Sequence, residues 1–150
     1  MELEPLRQVH YLGTHERTLD AKNRVAVPAP WVDDQVEELH VIAPPHGDYL
    51  LVMPRREMDL QEERIRTAKL SEMEKRDAIR SFFGGVKSVT PDKQGRVLLH
   101  DDQCKAVGLT DEVVFVGSKS RFEIWAKDRY ATRAAATHEN FKNVADLIGL

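Results

Sequence analysis

Two stretches of this chain place an aspartate four positions ahead of an arginine: Asp20 with Arg24, and Asp92 with Arg96. An aspartate in such a frame opens a turn by accepting a hydrogen bond from a backbone N–H two or three residues on. Asn23 and Gly95, each three residues after the aspartate, tolerate the positive φ that such a turn needs. Apolar β-formers follow, so each motif reads as the tip of a β-hairpin. The arginine then has two possible uses. It can pair with its own aspartate and fix the turn, or it can reach DNA phosphates and the guanine edge in the major groove, with Lys22 or Lys93 beside it. An Asp–Arg pair on a water-exposed tip adds little stability, so stability alone explains the arginine weakly. The candidate DNA-contacting set is therefore Arg24, Arg96, Lys22, Lys93 and Asn23. Arg17 and Lys87, with His15, extend it along the strands that lead into the tips, while Asp20, Asp92 and Gly95 shape the turns and Gln94 occupies one.

The elements that must position these residues come from an internal repeat. Thr18 to Pro54 aligns without a gap on Thr90 to Ala126, at an offset of 72 residues. After each tip comes a short acidic segment with helical character, Pro28 to Glu38 and Asp101 to Val107. Two more strands follow: His40 to Ala43 with Asp48 to Met53, and Val113 to Val116 with Arg121 to Trp125. The alternation of Phe122 and Ile124 with Arg121 and Glu123 marks a half-buried strand. Between the copies, Arg55 to Phe83 has no Pro or Gly and reads as two helical pieces. Ser71 and Glu74 form a capping box at the start of the second, and Gly84-Gly85 stops it. Helix resumes from Lys127 to about Ala136, and Phe141, Val144, Ala145 and Ile148 make a further apolar stripe. One copy has too little core to stand alone, so the two are expected to share one. The fold class is mainly β (α+β): an intertwined, pseudo-twofold barrel with peripheral helices. Residues 14–57 and 86–130 are the repeats, 58–85 a helical connector and 131–150 a helical tail.

Other chemistry is poorly supported. His100-Asp101-Asp102-Gln103-Cys104 contains ligand and nucleophile types, but Pro28-Ala29-Pro30-Trp31-Val32, its counterpart in the first copy, shares none of them. No other Asp/His cluster completes a site. The segment reads as a helix start, with Asp as N-cap and Cys104 as a small core residue. Phe82, Phe83, Phe122 and Trp125 read as core and not as base-stacking platforms. Gly84-Gly85 is no phosphate loop, because no Lys-Ser/Thr pair opens a helix after it. No catalytic residue, metal or cofactor is expected, and the chain does not read as an enzyme.

Composition bounds the alternatives. With 41% hydrophobic and 31% charged residues, the 150-residue chain is a globular protein of one domain's size. Its longest apolar run, Tyr49 to Met53, is far too short to span a membrane. The acidic start, Met1-Glu2-Leu3-Glu4-Pro5, lacks the features of a secretory leader. The single cysteine fits a reducing compartment. A formal charge of −3 gives no overall attraction to nucleic acid, so any DNA binding must come from a local patch. Asp33, Asp34, Asp101 and Asp102 are accordingly expected to face away from the tips or to limit nonspecific sticking; those acids sharing the tips' surface would mean that the DNA face is misassigned.

Four segments in order and spacing carry a resemblance: Thr18-Leu19-Asp20-Ala21-Lys22-Asn23-Arg24-Val25-Ala26-Val27-Pro28, Phe82-Phe83-Gly84-Gly85, Asp92-Lys93-Gln94-Gly95-Arg96-Val97-Leu98-Leu99, and Phe122-Glu123-Ile124-Trp125. Together they resemble the MraZ family of bacterial transcriptional regulators, over most of residues 14–130. The resemblance implies two tandem AbrB-like swapped-hairpin domains and ring-shaped homo-oligomers. It also implies a cytoplasmic, nucleoid-associated protein that binds direct repeats in double-stranded DNA, upstream of the division and cell-wall operon that the family's own gene heads. The family's Asp-x-x-x-Arg motif carries over as Asp20 with Arg24 and Asp92 with Arg96. Asn23 stands where the family usually has glycine, and His100 where it usually has proline. The competing reading is an antitoxin-like protein-interaction module without direct promoter binding.

Overall fold

The two copies each contribute four strands, and the strands pair across the copies. The computed structural model describes residues 9–32 and 38–150. The first copy supplies β1 (Thr14–Thr18), β2 (Arg24–Ala26), β3 (Leu39–Ile42) and β4 (Leu50–Pro54); the second supplies β5 (Lys87–Val89), β6 (Arg96–Leu98), β7 (Glu112–Gly117) and β8 (Phe122–Ala126). An antiparallel six-stranded sheet runs β1-β7-β8-β4-β3-β5, and β2 and β6 form a separate two-stranded ribbon. Exchanging the copies reverses the sheet order onto itself, as a pseudo-twofold relation requires.

This topology corrects the reading of each Asp–Arg motif as the tip of a local hairpin. The turn forms, but the strands on either side of it do not ladder with each other. β1 pairs with β7, from Thr14 opposite Val116 to Thr18 opposite Glu112, while β2 pairs with β6. Leu19 donates its backbone N–H to Asp111 and Val27 donates to Gly95, so both sides of the first turn are satisfied by the second copy. The exchange also serves the core. Val25 and Val97 face each other and both are buried, which a three-residue strand paired only with its neighbour in sequence would not arrange.

The shared core centres on Tyr11, Trp31, Phe115 and Phe122, whose rings meet at centroid distances of 4.9 to 6.2 Å. Phe122 and Ile124 point inward, while Trp125 is buried on the opposite face of β8 against Tyr49 and Tyr130. Neither copy holds this cluster alone: Trp31 belongs to the first and the two phenylalanines to the second.

The connector forms α1 (Arg55–Thr67) and α2 (Glu72–Gly84). Ser71 Oγ accepts from the Glu74 N–H and the Glu74 carboxylate accepts from the Ser71 N–H, both at 3.1 Å, completing the capping box. α2 ends at Gly85, which has φ −92°, so the stop uses no left-handed glycine. The acidic segments differ. Asp101–Ala106 forms the helix α3, whereas the described part of the first copy's segment holds a 3-10 turn, Ala29–Trp31, where Pro28 and Pro30 remove N–H donors. Asp33, Asp34 and Glu37 lie outside the described residues. The last helix, α4 (Lys127–Ala145), runs well beyond Ala136, and Gly149 at φ 85° follows it. Its apolar stripe faces solvent: Phe141, Val144 and Ile148 are all exposed. No helix among the described residues is long and apolar enough to cross a membrane.

Candidate nucleic-acid interface

Each turn is organised by one carboxylate. Asp20 Oδ1 accepts from the backbone N–H groups of Lys22 and Arg24, both at 2.9 Å, and Oδ2 accepts from Arg24 Nε at 2.9 Å. Asp92 repeats the pattern with Gln94 (2.8 Å), Arg96 N (2.9 Å) and Arg96 Nε (3.1 Å). The donors thus lie two and four residues on, and the second donor is the arginine itself. Asn23 at φ 61° and Gly95 at φ 77° take the left-handed position. Both carboxyls are held below the ordinary aspartate value of 3.8, chiefly by the N–H of the following arginine. The turn-fixing and DNA-reaching roles of the arginine are therefore compatible. The carboxylate engages Nε, and among the described residues no partner engages Nη1 or Nη2 of Arg24 or Arg96. A guanidinium anchored at its inner nitrogen presents the outer pair as a preset fork.

The strand exchange then brings the two motifs together. Arg24 lies opposite Leu98 and Ala26 opposite Arg96, with Val25 and Val97 between them turned into the core. Alternation puts Arg24, Ala26, Arg96 and Leu98 on the outer face of one ribbon. Standard strand rise and spacing place the two arginine Cα atoms roughly 8 Å apart on its diagonal. A two-stranded ribbon of this kind fits the DNA major groove. Lys22 and Lys93 are exposed on the turns at either end.

The remaining residues are distributed less evenly. Arg17 and Lys87 lie on β1 and β5, the two edge strands of the sheet, and Arg17 donates to the Glu16 carbonyl at 2.8 Å. His15 does not extend a basic patch; its ring packs edge-on to Trp31 at 5.1 Å and belongs to the rim of the core. Gln94 serves the turn through its backbone.

Asp101 overturns the expectation that it faces away. Asn23 donates an amide N–H to Asp101 Oδ1 at 3.3 Å, and Lys105 pairs with the same carboxylate at 2.8 Å. The cause is the ribbon itself: Leu99 donates its N–H to the Asn23 carbonyl, which seats the first turn against the start of α3. At the second turn, Val27 donates to Gly95 in the same way, and the nearest side chain there is the apolar Val32. Among the described residues an acid therefore weighs against the first tip and none is placed against the second; Asp33 and Asp34, which follow Val32, lie outside them.

The segment at His100 starts a helix. His100, not an aspartate, occupies the N-cap, without a side-chain bond, and the Asp101 carboxylate is engaged by Asn23 and Lys105. Cys104 is buried, and burial, with Asp101 and Asp102 adding to it, pushes its thiol up to about 11, so it stays protonated near neutrality. Among the described residues no group of three or more His, Cys, Asp or Glu is placed to hold a metal. Phe122 and Trp125 are core as expected, whereas Phe82 and Phe83 are only half-buried and pack on each other at 4.9 Å.

Comparison with known proteins points to one family. A family model described as "MraZ protein, putative antitoxin-like" matches residues 82–148. A "Transcriptional regulator MraZ" from Carboxydothermus hydrogenoformans is 33% identical over 132 residues, covering 86% of this chain and 92% of that protein. Its namesake from Micrococcus luteus is 34% identical over 131 residues, 87% of this chain and 91% of the relative. One from an Arthrobacter species is 33% identical over 138 residues, 92% of this chain and 96% of the relative.

Proposed function

The chain belongs to the MraZ family, whose similar members are named transcriptional regulators, and from that premise we propose that its ribbon binds promoter DNA. The observation that carries the reading is the convergence of both Asp–Arg motifs on the outer face of β2 and β6. Arg24 and Arg96 reach phosphates and guanine edges, Lys22, Lys93 and the amide of Asn23 add contacts at the turns, and Arg17 and Lys87 flank the strands that feed them. Asp20, Asp92 and Gly95 hold the turns. In this reading residues 14–57 and 86–130 are AbrB-like repeats closing one double-split barrel, and the protein is cytoplasmic and nucleoid-associated.

A single ribbon binds weakly, and assembly supplies the rest. The connector exposes Leu60 on α1, Leu70 between the helices and Met73 on α2, and α4 with the 3-10 turn after it exposes Phe141, Val144, Leu147 and Ile148. Two unlike apolar patches on one chain suit a head-to-tail contact between copies, which closes into a ring when the rotation permits. A ring that aligns several ribbons on direct repeats, upstream of its own gene at the head of the division and cell-wall operon, gains about 100- to 10,000-fold in avidity. Sedimentation on dilution is expected to show an oligomer; a monomer alone at nanomolar concentration overturns the ring. The exposed stripe of α4 also favours a second reading, the antitoxin-like protein-interaction module, in which the partner is a different protein.

Binding to the DNA upstream of the protein's own gene, measured at several salt concentrations beside unrelated DNA of equal length, separates these readings. Selective binding with a steep salt dependence is expected, and Arg96→Ala should lower the logarithmic slope by about 1. Equal, weak binding of both DNAs, indifferent to Arg96, would remove promoter recognition and leave the protein-interaction module.

A further inference from the structure

We propose that Leu98 reads a base: its side chain packs on the 5-methyl group of a thymine in the major groove and so gives the ribbon a direction on DNA. The inference rests on the DNA-binding reading above and names a residue that determines specificity within it. Leu98 is 58% exposed although Val97 and Leu99 on either side are buried, so its isobutyl group stands on the outer face by alternation. A lone exposed leucine is ordinary on most surfaces. This one stands directly opposite Arg24 and two residues beyond Arg96, on a face whose other residue is Ala26. Guanidinium groups on both sides commit that face to the groove. The one apolar feature a base pair presents there is the thymine methyl.

The repeat makes the asymmetry informative. Its two halves present Arg24 with Leu98 and Arg96 with Ala26, so a pseudo-twofold ribbon carries a long apolar side chain at one end and a methyl at the other. The ends differ again at the turns, where Asn23 is tied to Asp101 and Gly95 is not. A symmetric ribbon would suit an inverted-repeat half-site equally in both directions. This one distinguishes them, as recognition of a directional site requires.

The test begins with selection of binding sequences from a randomised duplex library, using the intact protein. Each thymine of the selected duplex is then replaced singly by deoxyuridine, which removes only the methyl. One position, near one end of a non-palindromic motif, is expected to cost wild type about fourfold in affinity, the value of one buried methyl-sized group. Leu98→Ala should bind without that sensitivity, and Leu98→Met should retain it. Unchanged thermal melting of both variants shows that the ribbon is intact. Wild type insensitive to every deoxyuridine, a Leu98→Ala variant that keeps the sensitivity, or a palindromic selected motif would each overturn the proposal while leaving DNA binding in place. A library that yields no preferred sequence would instead sink the DNA-binding reading, and this inference with it.

Discussion

Converting Arg24 and Arg96 together to alanine is expected to reduce binding of the upstream DNA to the level of unrelated DNA. Each arginine that recognises a base edge contributes about 1–3 kcal/mol, so the pair accounts for roughly 30- to 20,000-fold, before the ring multiplies the loss. The single variants should be unequal. Asp101 sits at the first turn through Asn23, whereas the second turn abuts Val32, so Arg96→Ala should cost more than Arg24→Ala. Thermal melting should change little, because the side chains of Arg24 and Arg96 are 39% and 36% exposed and contribute nothing to the core. Arg96→Lys separates the two kinds of contact. It keeps the charge and loses the fork, so salt-dependent affinity should largely persist while discrimination against unrelated DNA falls. A double alanine variant that binds as wild type does would move the interface away from the ribbon.

The sequence carries the local half of this argument and not the long-range half. The turns were legible because an aspartate, a residue tolerant of positive φ and the following valine act within a few residues of one another. The repeat made an intertwined pair of copies legible, but the pairing of β2 with β6 was not, since a three-residue strand has no periodicity to declare its partner. Only the burial of Val25 against Val97 decides it, and the equal spacing of the two motifs was the available hint. The Asn23–Asp101 bond joins residues 78 positions apart, and nothing local to either foretells it. α4 outran its expected end because His138 to Asn140 are polar all round; continuation there rests on the absence of a breaker before Gly149, not on an apolar stripe. Tyr11 carries no local signal of its burial. It precedes the repeat, in a stretch with no strand pattern, yet it is fully buried and bridged in both directions to Lys119.

Among the glycines, Gly117 is where an added methyl meets the closest backbone overlap, and that overlap is with the buried tyrosine. Gly117 closes the end of β7 by donating to the Gly13 carbonyl at 2.9 Å, and a Cβ there would overlap the Tyr11 carbonyl oxygen and lie 2.6 Å from its carbon. Those are backbone atoms, so no rotamer relieves the overlap and the segment must lift. Lifting it breaks the bonds from Tyr11 N to Lys119 and from Lys119 N to Tyr11, at 2.8 and 2.9 Å, and withdraws the Tyr11 ring from Trp31 and Phe122. Loss of a buried aromatic costs about 3–5 kcal/mol. For a chain of this size, that is a fall in melting temperature of roughly 6–20 °C. Coupling provides the check. If part of the damage runs through withdrawal of the Tyr11 ring, the double variant Tyr11→Ala with Gly117→Ala should lose less than the sum of the single losses, yet remain clearly less stable than Tyr11→Ala, because the overlap is with the main chain at residue 11, which alanine keeps. Additive losses would mean that the ring keeps its place and that the cost lies in the main-chain overlap alone. The same lifting should reach the interface, because Trp31 holds the 3-10 turn whose neighbour Val32 lies against Gly95. DNA affinity should therefore fall in Gly117→Ala even at temperatures where the protein remains folded.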